Sequence, residues 1–430
     1  MKVLPILAIA TLTALPAHAT LNLSTQPTKN VSCSSGVCTA TADDAVLNVD
    51  DLSALLATTD VSVRSEGIAL QDIEVLSPLT WASTHALNIE SNNAIYMRNV
   101  ITIEGTAHLA LNHNGGIIFD RKGAVHYWDM ASGFSINGAN YTLVNSVASL
   151  AAAVEKHPKG LIAFANDYNA KQDSQVHTVP VSREFAGTLE GLGNKISNFA
   201  IWDTTENIIA LFKALKPKGV IENFGMTNVN VLAENTFNNV AAGLVGYNAG
   251  TIYNCYVDGG TVRTDFRGTL GGLVAQNYGG VFQSWANVSV EGAQIAEVGG
   301  LIGNAHGRVQ DVYAIGRVIA GDQSDVGGLI GYNFGHVKHG YATGHVSGGQ
   351  NARVGGLMGT TQLPVRQTYW NTETSGTQFG IGGTNIEGIT GLTTAELQAE
   401  LPKGFALGTW ALDAKINGGM PFLVTNPPRK

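Results

Sequence analysis

Four polar residues recur at a spacing that a repetitive fold would convert into contacts. The separation of Asp311 from His339 equals that of Arg308 from His336, namely about 28 residues, a period within the range of repetitive folds. A carboxylate beside an imidazole can transfer a proton, and a neighbouring arginine can bind an anion. The same pattern also fits a solvated turn with an incidental ion pair, which contributes little energy. We favour this second interpretation and treat the four residues as a candidate surface cluster.

A second group of polar residues surrounds Trp128. It consists of Asp120, Arg121, Lys122, His126 and Asp129. Cleavage of a glycosidic bond generally requires two carboxyl groups about 5–9.5 Å apart. We expect no position of the repeats described below to carry carboxylates in two successive units. Neither group of residues therefore predicts a catalytic pair.

The sequence contains no nucleophile motif and no zinc-hydrolase motif, because neither G-x-S-x-G nor H-E-x-x-H occurs. The acidic pairs at 43–44 and 50–51 lack the alternating spacing of a calcium-binding loop. The repeated glycine pairs lie at the starts of short apolar segments, where small residues allow tight turns and close packing. We therefore predict no enzymatic activity, no cofactor and no bound metal ion.

The candidate surface cluster lies between residues 242 and 376, a region in which one short sequence motif occurs five times. The repeated leucines, whose first interval is slightly longer than the others, are Leu244, Leu273, Leu301, Leu329 and Leu357. The aromatic residues that follow each leucine by twelve positions are Tyr256, Trp285, Tyr313, Tyr341 and Tyr369. A fixed period between about 20 and 50 residues is typical of a solenoid or an array.

Each unit contains three short apolar segments separated by glycine, asparagine or polar residues. In the fourth unit these are residues 326–330, 335–337 and 341–346. They are too short for helices, and stacking identical units would bury a continuous core. The sequence therefore predicts an all-β fold, a parallel β-helix with coils of about 28 residues spaced about 4.8 Å apart. A leucine-rich-repeat horseshoe is the competing fold, but the helical half of such a repeat is missing.

Stacking converts each repeated position into a column of side chains. We expect the leucine, valine and aromatic columns to point into the coil. Asn248, Asn277 and Asn333 share another column, which Ala305 interrupts. Asparagine tolerates a left-handed turn and can hydrogen-bond to its neighbour in the next coil. We expect both properties in this column.

The remainder of the chain divides around these repeats. Residues 1–19 have the charge, apolar run and A-x-A site of a signal peptide, and residues 20–60 read as an irregular lead-in. Residues 61–241 predict irregular coils with one helical excursion near 149–157, and residues 377–430 predict a cap on the open end of the solenoid.

Cys33 and Cys38 could close a small disulfide loop, with two unpaired thiols as the alternative.

The amino-acid composition limits the classes of binding partner that we expect for this protein. The formal net charge is −8, and only 13% of residues are charged. This balance argues against nucleic acid and anionic membrane surfaces as partners. No apolar stretch after the predicted signal peptide reaches the roughly 18 residues of a membrane span. We therefore predict an exported, soluble protein without an integral membrane segment; its oligomeric state and export route stay open.

The repeated units resemble the GLUG repeat. Residues 81–89, 136–144 and 185–201 look like coils of bacterial exoproteins of the filamentous haemagglutinin type, as does the closing segment 369–376. The resemblance extends from about residue 42 to 423. It implies a right-handed β-helix on or outside a Gram-negative cell, in proteins usually described as adhesins. This chain is shorter than many such exoproteins, and we recognise in it no secretion-partner domain and no sorting motif.

Three functional hypotheses follow. The first is a non-enzymatic adhesin that binds glycans or other molecules on host or neighbouring cells. The second is a carbohydrate-active enzyme using the Asp311/His339 face or the loop from Asp120 to Asp129. The third is a structural module of a surface layer or biofilm matrix. Exposed aromatic residues along a groove would favour glycan binding, a carboxylate pair in a cleft would favour the enzyme, and flat polar faces would favour assembly.

Overall fold

A computed structural model of the chain describes residues 20–65, 72–120, 122–173, 176–203, 206–234 and 238–428. The predicted signal peptide lies outside these residues. The protein is half β-strand, and its parallel strands stack into a solenoid of about 12 turns. This confirms the predicted parallel β-helix.

The first block of coils contains three sheets. The five-stranded sheet comprises Thr20–Ser24, Ala45–Asn48, Asp72–Val75, Ala94–Met97 and Gly116–Phe119. The three-stranded sheet comprises Leu79–Trp81, Val100–Ile103 and Ala124–Tyr127. The seven-stranded sheet comprises Val31–Ser34, Val37–Ala40, Val61–Arg64, Leu87–Ser91, His108–His113, Gly133–Ile136 and Ala139–Asn140. The segment 20–60, which we expected to be irregular, thus contributes strands to two of these sheets.

The second block also has three sheets, which we call I, II and III. Sheet I comprises Thr142–Val144, Leu161–Phe164, Tyr168–Asn169, Thr188–Glu190, Lys195–Ser197, Ala200–Asp203, Val220–Glu222, Gly225–Ala233, Thr251–Tyr253, Tyr256–Thr264, Gly280–Glu291, Arg308–Ala314, Val318–Ile319, His336–Ala342, Val346–Ser347, Arg366–Asn371 and Ile389–Leu392. Sheet II comprises Ile208–Ile209, Asn239–Ala242, Gly268–Gly271, Glu297–Gly299, Asp325–Gly327 and Arg353–Gly355. Sheet III comprises Phe212–Leu215, Val245–Asn248, Val274–Asn277, Ile302–Ala305, Ile330–Asn333 and Met358–Thr361.

The repeated leucines form the centre of the second block. All five are fully buried between sheets II and III. The glycine before each of the first four leucines is required by the approach of the next coil. A Cβ atom on Gly300, for example, would lie 2.2 Å from the carbonyl oxygen of Gly328. The Gly-Gly-Leu pattern therefore reflects coil stacking.

In the described part of the chain three short α-helices interrupt the solenoid, where the sequence analysis predicted one helical excursion near 149–157. Helix α1 is Val49–Leu56 and packs on the first core. Helix α2 is Val147–Lys156, begins with a capping box from Ser146, and accounts for the predicted excursion. Helix α3 is Thr394–Ala399 and begins at the N-cap Thr393. Two 3₁₀ turns occur at Ala170–Gln172 and Asn417–Gly419.

The aromatic column does not point into the coil, so this expectation is wrong. In the strand Arg308–Ala314 of sheet I, the residues on either side of Tyr313, which are Val312 and Ala314, belong to the coil interior. Because side chains alternate along a strand, Tyr313 between them must point outward. Its ring is nevertheless fully buried. A second hydrophobic cluster, formed with the end of the chain, covers it.

The end of the chain runs back along the outside of the solenoid. We call residues 403–428 the tail; its only regular structure among the described residues is the strand pair Trp410–Ala411 and Phe422–Leu423, apart from the 3₁₀ turn. The tail lies over the aromatic column, which comprises Tyr256, Trp285, Tyr313, Tyr341 and Tyr369. The sequence predicted that residues 377–430 cap the open end. The strand Ile389–Leu392 does pair with the last repeat strand, Arg366–Asn371, but the tail lies on a lateral face.

The asparagine column shows only one of its two expected properties. The amide of Asn248 donates to the side-chain oxygen of Asn277 at 2.7 Å, as expected. The left-handed backbone occurs instead ten residues after each leucine. The non-glycine residues with positive φ at this position are Asn254, Gln283, Asp311, His339 and Gln367. This position turns the chain sharply between two halves of a strand, which requires the left-handed conformation.

Candidate functional site

Asp311 and His339 occupy successive steps of this left-handed column. His339 Nδ1 lies 3.1 Å from Asp311 Oδ1, and its Nε2 lies 3.0 Å from Gln367 Oε1. Asp311 also accepts a hydrogen bond from the indole N–H of Trp410 at 3.0 Å and one from the amide of Gln310 at 2.7 Å. Asp311 is buried beneath the tail. The pair therefore anchors the tail, and a polymeric substrate has no access to it while the tail is docked.

Arg308 and His336 are adjacent to one another but do not join that pair. They are register partners in neighbouring strands of sheet I, and both side chains are exposed. They line a cleft on the outer surface to which Trp410 does not contribute. The four residues of the candidate surface cluster thus separate into a buried pair and an exposed pair.

The polar residues around Trp128 form local turns. Asp120 accepts a hydrogen bond from the backbone N–H of Lys122 at 3.0 Å, and Asp129 accepts one from Ala131 at 2.8 Å. Trp128 itself is 69% exposed. The carboxylates of Asp120 and Asp129 therefore stabilise turns of the backbone.

Cys33 and Cys38 are joined by a disulfide bond in the structure. They face each other in the antiparallel pair of strands Val31–Ser34 and Val37–Ala40. Cys255 is buried and unbonded to another cysteine, and burial raises the pKa of its thiol. It is therefore a core residue.

A lateral groove lies where sheets II and III meet, and we call it the carboxylate groove. It encloses a cavity of about 680 Å³. Glu297 and Asp325 are register partners in adjacent strands of sheet II and line this cavity. Both lie four residues before a repeated leucine, so successive units do carry carboxylates at one position. Our expectation that none would do so is wrong.

The two carboxylates have different surroundings. Asp325 is buried and held by the guanidinium of Arg353, which donates two hydrogen bonds of 2.6 Å, and by the hydroxyl of Thr360. Glu297 accepts from the amide of Asn304 at 2.7 Å. Burial raises the pKa of Glu297, although this amide partly opposes the shift. A carboxyl group with a raised pKa beside a charge-paired carboxylate is a combination that acid catalysis can use.

Exposed aromatic rings border the carboxylate groove. Tyr278, His306 and Phe334 stack across three successive coils, with ring centroids 4.7 and 4.9 Å apart and planes within 9° and 5°. Tyr332, which lines the groove, stacks on Phe334 at 4.5 Å. We call these four residues the aromatic ridge. Tyr278 is 52% exposed and Phe334 is 39% exposed, so the ridge presents flat apolar surface to solvent.

Sequence reasoning missed both features although the repeat contains their signal. The ridge residues Tyr278, His306 and Phe334 each lie five positions after a leucine, and the carboxylates lie four positions before one. Neither position is occupied by one residue type in all units. The invariant columns indicate the core, whereas both features occupy variable columns, which give no such signal.

A second carboxylate pair lies outside the regular repeats. Glu190 and Glu222 are register partners in sheet I and line a cavity of about 400 Å³ between the two blocks. Burial and the proximity of Glu222 raise the pKa of Glu190, and burial raises that of Glu222. In the same cavity burial raises the pKa of Tyr141 to about 12. The backbone N–H of Leu192 and the amide of Asn223 donate to Glu190.

The protein is thus a parallel β-solenoid with an open lateral groove, an exposed aromatic ridge and a tail bound along another face. The GLUG motif matches residues 237–263. The chain therefore carries a GLUG motif, and the four following units repeat its leucine and its aromatic residue. Residues of this chain are 34% identical over 250 positions to halomucin of Haloquadratum walsbyi (strain DSM 16790 / HBSQ001). That match covers 57% of this chain but spans only 2% of halomucin.

A solved structure from Bacteroides ovatus, provisionally named an immunoglobulin A1 protease, has a similar fold. The TM-score is 0.51 at 16% sequence identity, over 67% of this chain and 93% of that chain. At this identity the similarity concerns the fold alone. In the described part of this chain no helix is long and apolar enough to cross a bilayer. The same residues contain no group of three or more His, Cys, Asp or Glu side chains arranged to hold a metal ion.

Proposed function

We propose that this protein is an extracellular, non-enzymatic adhesin that binds glycans along the aromatic ridge and the carboxylate groove. The observation that carries the proposal is the continuous stack of exposed rings from Tyr278 to Phe334. The GLUG motif and the halomucin match support a surface-associated or secreted repeat protein. The resemblance to filamentous haemagglutinin-type exoproteins supports the same proposal.

The ridge has the chemistry of a carbohydrate-binding surface. Flat rings offer apolar area against which the C–H faces of sugars can pack, at a low cost in side-chain entropy. The adjoining groove supplies hydroxyl, amide and carboxylate groups that can hydrogen-bond to sugar hydroxyls; among them are Thr269, Gln276, Glu297 and Tyr332. Because the rings stack across three successive coils, the ridge matches an extended ligand better than a single small molecule.

The test is binding of purified residues 20–430 to a glycan array. The double variant Tyr278→Ala/Phe334→Ala should bind at least tenfold more weakly than wild type, which corresponds to about 1.4 kcal/mol. Trp128→Ala is the matched control, since it removes an exposed aromatic ring far from the ridge. No binding by wild type, or equal loss in both variants, would contradict the proposal and favour a structural module.

A second candidate function is glycoside cleavage in the carboxylate groove. It is favoured by the placement of Glu297 and Asp325 in adjacent strands, whose backbones lie about 4.8 Å apart. Glu297 would be the acid, and Asp325, which Arg353 holds by charge-assisted hydrogen bonds, the second carboxylate. Glycans bound on the array are then examined for shortened products. Cleavage that Glu297→Gln abolishes while binding persists would replace the adhesin proposal with this one.

A further inference from the structure

A cluster of three cationic side chains and one histidine lies on sheet I, outside the aromatic ridge. Arg308, His336, Lys338 and Arg366 line a cavity of about 450 Å³, which we call the cationic cleft. All four side chains are exposed. Phe282 and Pro364 contribute apolar surface to the cleft. Among the described residues, no carboxylate lines this cleft.

The cations are arranged by the register of the coils. Gln310, Lys338 and Arg366 are successive register partners, and Arg308 and His336 form a parallel column two residues away. Successive coils are about 4.8 Å apart, and positions two residues apart along a strand are roughly 6.6 Å apart. The three permanent charges of Arg308, Lys338 and Arg366 therefore lie in two neighbouring columns that follow the solenoid axis.

These charges are not neutralised within the protein. Across the described residues, no ion pair involves Arg308, Lys338 or Arg366. This contrasts with Arg353 in the carboxylate groove, which is paired with Asp325. The cleft adjoins a further cavity, where Arg366 and Lys403 are accompanied by one carboxylate, Glu387. A local excess of positive charge in a chain of net charge −8 indicates a surface that attracts an anion.

We propose that the cationic cleft binds an acidic polysaccharide, with its carboxylate or sulfate groups on Lys338, Arg366 and Arg308. A linear polymer with regularly spaced anions fits a lattice that repeats along the solenoid axis. Arginine can bind such a group with two hydrogen bonds, and lysine as a point charge. This site differs in position and ligand class from the aromatic ridge, so the inference goes beyond the proposed glycan binding.

Nucleic acid is the competing polyanion. Binding of single strands combines a cationic groove with several aromatic rings that stack on bases. Phe282 is the one phenylalanine, tyrosine or tryptophan that lines this cleft. The charge outside the cleft is negative overall, which disfavours the long phosphate backbone. A flexible acidic polysaccharide requires only the local charges.

The experiment measures affinity of purified residues 20–430 for three polymers of matched length. Polygalacturonate carries carboxylates, dextran sulfate carries sulfates, and plain dextran is the neutral control. Wild type should bind one or both acidic polymers, with affinity that falls as salt rises from 50 to 300 mM, roughly the range over which screening becomes severe. The polymer that binds more tightly identifies the anionic group.

The double variant Lys338→Gln/Arg366→Gln should lose at least tenfold in affinity for the acidic polymer. Lys159→Gln/Lys171→Gln removes two exposed cations elsewhere and should bind as wild type does. Equal affinities of wild type and the cleft variant would overturn the inference, as would tighter binding of single-stranded DNA. If the ridge variant Tyr278→Ala/Phe334→Ala loses its neutral glycans while the cleft variant changes nothing, only the cleft inference fails.

Discussion

Replacing Trp410 by alanine should release the tail from the solenoid. The indole of Trp410 is fully buried and packs on Phe405, Tyr313 and Tyr341, with ring centroids 4.2, 6.0 and 6.0 Å away. Removal of a buried aromatic side chain costs about 3–5 kcal/mol. The variant also removes a hydrogen-bond donor from the buried carboxylate of Asp311. The free energy of tail docking should therefore fall by at least about 3 kcal/mol.

This loss should be local. In a solenoid each coil is stabilised mainly by its neighbours, and the coils beneath the tail keep their leucine core. Other contacts of the tail include hydrogen bonds from Tyr341 to Pro421 and from Tyr369 to Lys403. They should not compensate, because each net hydrogen bond contributes only about 1 kcal/mol. The variant should fold but have an open tail.

Limited proteolysis with trypsin measures this opening, since Lys403 and Lys415 lie in the tail. A change of about 3 kcal/mol in the opening equilibrium corresponds to roughly a hundredfold faster cleavage. Trp128→Ala, which removes an exposed indole, should be cleaved at the wild-type rate. Equal tail cleavage in Trp410→Ala and wild type would refute the reasoning that this side chain fastens the tail.

Two further predictions concern the stability of the coils. Leu301→Asp places a carboxylate without a partner in the leucine column and should make the protein insoluble or unfolded, whereas Gln294→Asp at an exposed position should secrete and melt as wild type does. The raised pKa values of Glu190 and Glu222 favour their neutral forms, so their stabilising contribution is complete below about pH 4.3 and is lost as pH rises through the folded-state pKa. Glu222→Gln should therefore raise the melting temperature at pH 8 more than at pH 4, and an unchanged pH dependence would contradict the proximity of these carboxyl groups.

The invariant columns made the fold accessible from the sequence. A leucine in every unit, preceded by glycine, specifies both the coil length and the close approach of neighbouring coils. Period alone does not reveal on which side of a strand a residue lies. Trp285 and Leu301 are both periodic and apolar, yet Trp285 faces the tail and Leu301 faces the coil interior. The alternation of residues along the strand around Trp285 indicates that this side chain points away from the coil interior. The apolar character of tryptophan suggested the opposite.

Features that depend on the variable positions or on the tail were less accessible. Glu297 and Asp325 lie in one column whose neighbours are Thr269 and Arg353. This chemical variety made the column look like ordinary surface. The tail has no repeat at all, so nothing in its pattern indicates that Trp410 reaches Asp311. Tertiary contacts between a periodic and an aperiodic segment leave no periodic trace in sequence.

The returning tail sets an order of events during folding. Side-chain contacts between successive coils, such as that of His339 with Asp311, join residues 28 positions apart, whereas the amide of Asn426 reaches the carbonyl of Cys255 across 171 positions. Closing long loops is entropically costlier than closing short ones, and each coil can add to its predecessor. The tail has a complete binding surface only after all five aromatic rings are aligned. Docking of the tail is therefore the last step of folding, and the docked tail joins coils that formed one after another.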